Sequence, residues 1–110
     1  MGGFMGGGMP NMQQMMKQAQ KLQEDMAKAE ASLETATVNA SSGGGMVNIV
    51  MSGTKKLVSI KIDKQVVDAD DVEMLEDLIT AAMSEALTKA EELHAKTMGP
   101  LTGGVAGLRF

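Results

Sequence analysis

The chain has 110 residues, a length that fits one domain, and its 10 basic and 14 acidic residues give a formal net charge of -4. It contains no Cys, which excludes disulfides and thiolate sites. It also has no Trp, no Tyr and only 2 Phe. Met and Ala must fill the core in place of aromatic side chains. We therefore expect a partner chain, most simply a second copy, to complete a core that is small for one subunit.

The first ten residues, MGGFMGGGMP, are mostly Gly and Met. Because glycine at this density is costly to order, we predict a flexible arm over residues 1–10. The segment has no basic residue and does not resemble a signal peptide, and no later stretch is long and apolar enough to span a membrane. The sequence therefore predicts a cytoplasmic protein.

A first helix is predicted from Asn11, which can cap it, to Glu34. Its apolar residues recur at spacings of three and four, which is typical of a narrow packing seam. We interpret the methionines in this seam as packing residues and not as metal ligands. The seam consists of Met12, Met15, Ala19, Leu22, Met26, Ala29 and Leu33.

Three segments with a period of two follow, near residues 35–40, 47–52 and 58–63, and Gly-containing turns join them. This pattern predicts an antiparallel three-stranded meander with one apolar face. The other face carries Thr, Asn, Ser and Lys61.

A second helix is predicted from a cap at Asp70 to a stop at Gly99-Pro100, and a Gly-rich flexible tail is predicted over residues 99–110. Both helices are longer than the strands, so we expect them to project beyond the sheet. The predicted fold is α+β, with a single α-β-β-β-α domain over residues 11–98. The residues expected in its core or in a dimer interface are Val47, Ile49, Val58, Ile60, Ile62, Leu75, Leu78 and Ile79.

Catalytic chemistry has few candidate residues. His94 is the only histidine, and no partner at a matching spacing points to a metal or a general base. The run DADDVE lacks the pattern of a calcium loop, and SSGGG lacks the Lys of a phosphate-binding loop. We expect no enzyme activity, no cofactor and no small-molecule substrate.

The lysines are grouped. Lys17, Lys21 and Lys28 share one face of the first helix, and residues 54–64 contain four Lys against one Asp. Such lysines can contact the phosphates of DNA without reading its bases. Ordinary solubilising lysines remain the alternative on charge alone.

The combined pattern resembles the YbaB/EbfC family of bacterial nucleoid-associated proteins. The similarity covers about residues 10–98 and rests on the helix NMQQMMKQAQKLQEDMAKAEASLE, the hairpin MVNIVMSGTKKLVSIKID after a Gly-rich turn, and the helix DDVEMLEDLITAAMSEALTKAEEL. The resemblance implies a homodimer that forms through the sheet region, helices that project as tweezer-like arms, and binding to double-stranded DNA in the nucleoid.

The expected function is thus a nucleoid-associated protein that binds duplex DNA as a homodimer and affects nucleoid organisation and gene expression. Since the sequence has a single Arg, we expect binding mainly through the backbone and the shape of the DNA and little base-specific reading. The alternative is a prefoldin-like chaperone or interaction module that uses Met-rich helix ends. Charge and position select the candidate DNA-binding residues Lys17, Lys21, Lys28, Lys55, Lys56, Lys96 and Arg109.

Overall fold

The structure is a computed structural model that describes the backbone of residues 2–107 and the side chains of residues 11–101. Two long helices flank three strands, which confirms the predicted α-β-β-β-α order. The elements are α1 (Gly2–Thr35), β1 (Thr37–Ser42), β2 (Val47–Ser52), β3 (Leu57–Ile62) and α2 (Val72–Gly107), with a short 3-10 helix at Lys64–Val66 before α2.

The three strands form an antiparallel sheet in the order β1-β2-β3, as the alternating pattern predicted. Ile49 in the central strand lies opposite Ala40 of β1 and Ile60 of β3. Residues that lie opposite each other point to the same face of a sheet. Ala40, Ile49 and Ile60 therefore share one face, which we call the inner sheet face.

Helix α2 packs on the inner sheet face through a row of alanines. Ala82, Ala86 and Ala90 are spaced by four residues, and each is fully buried, as are Val47 and Ile49 beneath the helix. A methyl side chain allows the helix to approach the sheet closely, so these small residues form a core without aromatic side chains. Leu75, Leu78, Ile79 and Met83 pack partly buried around this centre.

The third strand is not part of this core. Helix α2 contacts β1 and β2, and all six residues of β3 are exposed. Val58, Ile60 and Ile62, which we predicted in the core or in an interface, are 58%, 38% and 37% exposed. As core residues of the single chain they are wrongly predicted, because the helix covers only two of the three strands.

Both helices start at residues other than those predicted. The backbone is already helical from Gly2, so Asn11 lies within α1 and does not cap it. Helix α2 begins at Val72, and the carboxylate of Asp71, not Asp70, accepts a hydrogen bond from the Met74 N–H at 3.2 Å. The flexibility of segment 1–10 stays a prediction.

The predicted stop at Gly99-Pro100 is also wrong, because α2 continues to Gly107 with Pro100 inside it. A proline within a helix removes one hydrogen bond and costs about 3 kcal/mol. The turn before it is held by packing, since Met98 is only 8% exposed. The predicted flexibility of the tail remains a prediction, and residues 108–110 lie outside the described part of the chain.

The molecule is elongated, with extents of 84 × 28 × 17 Å and a radius of gyration of 22.7 Å. A compact chain of this length has a radius of gyration of about 13 Å. The length comes from α1 and α2, which contact each other and run past the sheet. We call residues 11–29 of α1 and 94–101 of α2 the arm.

Candidate nucleic-acid interface

The charges of the chain are separated along its sequence. All 14 acidic residues lie between Glu24 and Glu92, whereas Lys17, Lys21, Lys96 and Arg109 lie outside that range. The fold brings these outer segments together, because α1 leads into the sheet, α2 leads out of it, and the two helices contact each other. The distal part of the arm, before Glu24 and after Glu92, therefore carries cations and no carboxylate, although the chain as a whole is acidic.

The sequence contained this signal, and our sequence reasoning missed it. The spacing of the lysines indicates which of them share a face, but it does not indicate where carboxylates are absent. The absence of acidic side chains from both chain ends becomes informative only when the two ends are known to share one arm. Arg109 lies outside the described residues, so its position in the arm stays a prediction.

The lysines of α1 point away from α2. At 3.6 residues per turn, Lys17, Lys21 and Lys28 fall on one face, opposite the seam whose members Leu22 and Met26 are half-buried. All three lysines are exposed, and within residues 11–101 none forms an ion pair. Lys17 has no acidic neighbour within one turn, whereas Lys21 precedes Glu24 by three residues and Asp25 by four, and Lys28 follows the same two residues by four and three.

The two lysines of the β2–β3 turn differ. Lys56 is exposed and has no ion-pair partner among the described side chains. The Nζ of Lys55 lies 3.3 Å from Oε1 of Glu91 on α2. This exposed ion pair partly offsets the charge of Lys55, and its role in DNA binding stays a prediction. Lys96 lies in the arm and is exposed, and no ion pair of Lys96 is found among the described side chains.

Lys55 also adopts a backbone conformation that side chains disfavour, with φ at 67°. We expect Lys55→Gly to raise the free energy of unfolding by about 0.5–1 kcal/mol, because glycine adopts positive φ without steric cost and the exposed ion pair contributes little. Urea unfolding measures this, with Lys55→Ala as the control that loses the same ion pair and keeps the strain. A Lys55→Gly protein no more stable than Lys55→Ala would contradict it.

His94 lines an open concavity of about 350 Å³ between the helices and the β2–β3 turn. Glu30, Lys55 and Glu91 also line it, so its charges are mixed. Among the described residues no three His, Cys, Asp or Glu side chains are arranged to hold a metal ion. Nor does any helix in that part of the chain have the length and apolar character needed to cross a membrane.

A sequence model of the YbaB/EbfC DNA-binding family matches residues 8–105. The chain belongs to the YbaB/EbfC DNA-binding family. A nucleoid-associated protein of Alkaliphilus metalliredigens is 55% identical over 104 residues, covering 94% of this chain and 91% of the relative. A nucleoid-associated protein of Ruminiclostridium cellulolyticum is 55% identical over 108 residues, covering 97% and 94%.

The fold of this YbaB/EbfC protein has a solved counterpart. The crystal structure of an uncharacterized Helicobacter pylori protein superposes with a TM-score of 0.72 at 20% identity, covering 81% of this chain and 94% of the other. At that identity the likeness concerns the fold alone. Because the likeness shows the fold alone, it does not indicate which residues of this YbaB/EbfC protein contact DNA. The candidate contact residues are therefore selected from the geometry and charges described above.

Proposed function

We propose that this YbaB/EbfC protein binds double-stranded DNA as a homodimer in the nucleoid, through lysine contacts to phosphates, and thereby affects nucleoid organisation and gene expression. The observation that carries the proposal is the distal arm, where cations occur without any carboxylate. A polyanion is attracted there even though the net charge of the chain is -4, because charges on the remote sheet region are screened beyond about 8 Å at physiological salt.

The free edge of β3 supports a dimer. The Asp63 N–H donates to the Met46 carbonyl at 2.8 Å, so this pair is hydrogen-bonded. Bonded and non-bonded pairs alternate in an antiparallel ladder. Ile60 and Ile62, opposite Ile49 and Val47, therefore direct their N–H and C=O groups away from β2. A second β3 strand can satisfy these groups.

The apolar side chains of β3 favour the same interface. Ile60 and Ile62 lie on the inner sheet face beside α2 and are exposed there. Leu87, 38% exposed, lies one turn before Glu91 on α2, and Glu91 contacts the β2–β3 turn, so Leu87 lies on the β3 side of the helix. Pairing two β3 strands would cover these side chains from both copies.

The opposite edge of the sheet is already blocked. The Gly53 N–H donates to the Ala36 carbonyl, and by alternation the backbone groups of Asn39 point away from β2. Lys89 of α2 donates from Nζ to the Asn39 carbonyl at 2.7 Å and pairs with Glu85 at 3.0 Å. A lysine at an edge strand opposes further strand pairing. Because only the β3 edge is free to pair, a closed dimer is favoured and an extended chain of subunits is disfavoured.

Contacts to phosphates fit the arm better than base reading. Its described cations are lysines, which act as compact point charges, whereas arginine reads guanine through two parallel hydrogen bonds. The arm is accordingly expected to bind many DNA sequences with similar affinity.

We expect Lys17→Ala with Lys21→Ala to weaken DNA binding at about 50 mM salt by at least tenfold, because four phosphate contacts per dimer are lost. Fluorescence anisotropy of a labelled mixed-sequence duplex measures this. The control, Ser84→Glu with Thr88→Glu, makes the same change in net charge at exposed positions of α2. If the double-alanine protein bound DNA as tightly as the wild type, the phosphate contacts would not be made by Lys17 and Lys21 of α1.

A chaperone function is the second candidate, because Met12, Met15 and Met16 are 61%, 66% and 64% exposed near the end of the arm. Flexible methionine side chains suit contacts with varied apolar partners. Suppression of the aggregation of a model protein without any binding to DNA would favour this function over the first. Met5 and Met9, which precede them in the sequence, lie outside the described side chains.

A further inference from the structure

The face of the sheet that points away from α2 is uncovered and carries no carboxylate along its three strands. We call it the outer sheet face. Apart from the half-buried Val50 and the buried Ser52 at the end of β2, its residues are polar and exposed. They are Thr37, Asn39, Ser41, Asn48, Ser59 and Lys61.

Lys61 is the one charged residue on the strands of this face. Within residues 11–101 its amine has no ion-pair or hydrogen-bond partner. Its neighbour across the ladder, Asn48, directs its amide to the Gly45 carbonyl at 2.7 Å. The next carboxylate along the chain, Asp63, lies past the end of β3 and accepts a hydrogen bond from the Gln65 N–H.

Pairing of two β3 strands places the lysines of both copies near the dimer axis. The free backbone groups of Ile60 and Ile62 allow the axis to pass at Ile60 or at Lys61, and the first register is favoured because the second places two Lys61 residues directly opposite each other. We therefore consider the register in which Ile60 lies opposite its own copy. Lys61 is then one residue from the axis in each copy, and its neighbours across the interface are Ser59 residues. Each Lys61 side chain points to the same outer face.

The resulting surface suits phosphates and not bases. Six strands at a spacing of about 4.8 Å form a sheet about 24 Å wide, which cannot enter a major groove about 12 Å wide. Hydroxyl, amide and ammonium groups are the side chains that contact DNA phosphates. The carboxylates of α2 lie behind the sheet, on its inner side, where screening beyond about 8 Å weakens their repulsion.

We propose that the outer sheet face is a second surface for DNA phosphates, separate from the arm and centred on the two Lys61 side chains of the dimer. This inference rests on the proposed function. It assigns the uncovered face a role that folding alone does not require, since a solvent-facing side needs polar residues of any charge.

The test is the salt dependence of DNA affinity for Lys61→Ser. We expect the slope of log affinity against log salt to fall by about two between about 50 and about 200 mM, because two phosphate contacts per dimer are lost. Affinity at the lower salt should fall about tenfold, and Lys61→Arg should restore it. The matched control is Ser84→Glu, which makes the same net charge change at an exposed position of α2.

Sedimentation checks that Lys61→Ser keeps the oligomeric state of the wild type. An unchanged slope with that state intact overturns the inference about the outer sheet face and leaves the arm as the DNA surface. A slope that falls equally for Ser84→Glu also overturns it, because net charge would then explain the loss. Wild-type protein that binds no DNA overturns the proposed function and this inference together.

Discussion

The Ile60→Asp protein is expected to be a folded monomer in place of a dimer. Ile60 is 38% exposed in the single chain, so a carboxylate there stays in water until a second β3 strand approaches. In the dimer, two such carboxylates would face each other within an apolar interface without a partner. We expect the dimer dissociation constant to rise at least 100-fold, about 2.7 kcal/mol.

Sedimentation over a range of protein concentrations measures this shift, and circular dichroism reports whether the helices remain. Ser59→Asp is the matched control, because it adds the same charge one residue away on the outer sheet face. That variant should remain dimeric. An Ile60→Asp protein that is still dimeric would show that β3 is not the interface. One that is unfolded would show that Ile60 is needed for the core of the single chain.

The Gly53→Ala protein is expected to lose the junction between α1 and the sheet. The Gly53 N–H donates to the Leu33 carbonyl at 2.9 Å and to the Ala36 carbonyl at 3.0 Å. A Cβ at residue 53 would lie 2.7 Å from Leu33 Cδ2 and 2.9 Å from the Leu33 carbonyl oxygen. A side-chain rotation can relieve the first contact but not the second, so α1 must move away from the sheet.

We expect the free energy of unfolding to fall by about 2–3 kcal/mol, as for other overpacked sites. Urea unfolding measures the loss, and hydrogen exchange should show faster opening of the last turns of α1. Gly99→Ala is the control, because a Cβ there meets no atom within 4 Å and alanine favours the helix by about 1 kcal/mol. A Gly53→Ala protein as stable as the wild type would contradict the close approach at this junction.

The sequence was sufficient to predict the order of elements and the two faces of the sheet. Alternation along a strand is a local property, so Ile49 and Lys61 could be assigned to opposite faces without knowledge of the fold. The exposure of Ile60 could not be predicted, because it depends on where α2 crosses the sheet. The end of α2 was missed because the propensity cost of Pro100, about 3 kcal/mol, can be outweighed by packing such as that of Met98.

The candidate DNA surface was predicted in part. The shared face of Lys17, Lys21 and Lys28 followed from helical spacing alone. The ion pair of Lys55 joins residues 36 positions apart and required the fold. Recognising that the distal part of the arm has no carboxylate required both the sequence and the contact between the two helices of the arm.

The most direct measurement of the central claim is the affinity of the wild-type protein for a mixed-sequence duplex as salt rises from about 50 to about 200 mM. Contacts between lysines and phosphates predict a straight decline of log affinity with log salt, of similar slope for duplexes of different sequence. An affinity that does not change with salt, or no binding at the lowest salt, would contradict the assignment of the distal part of the arm, which has no acidic side chain, as a DNA-binding surface.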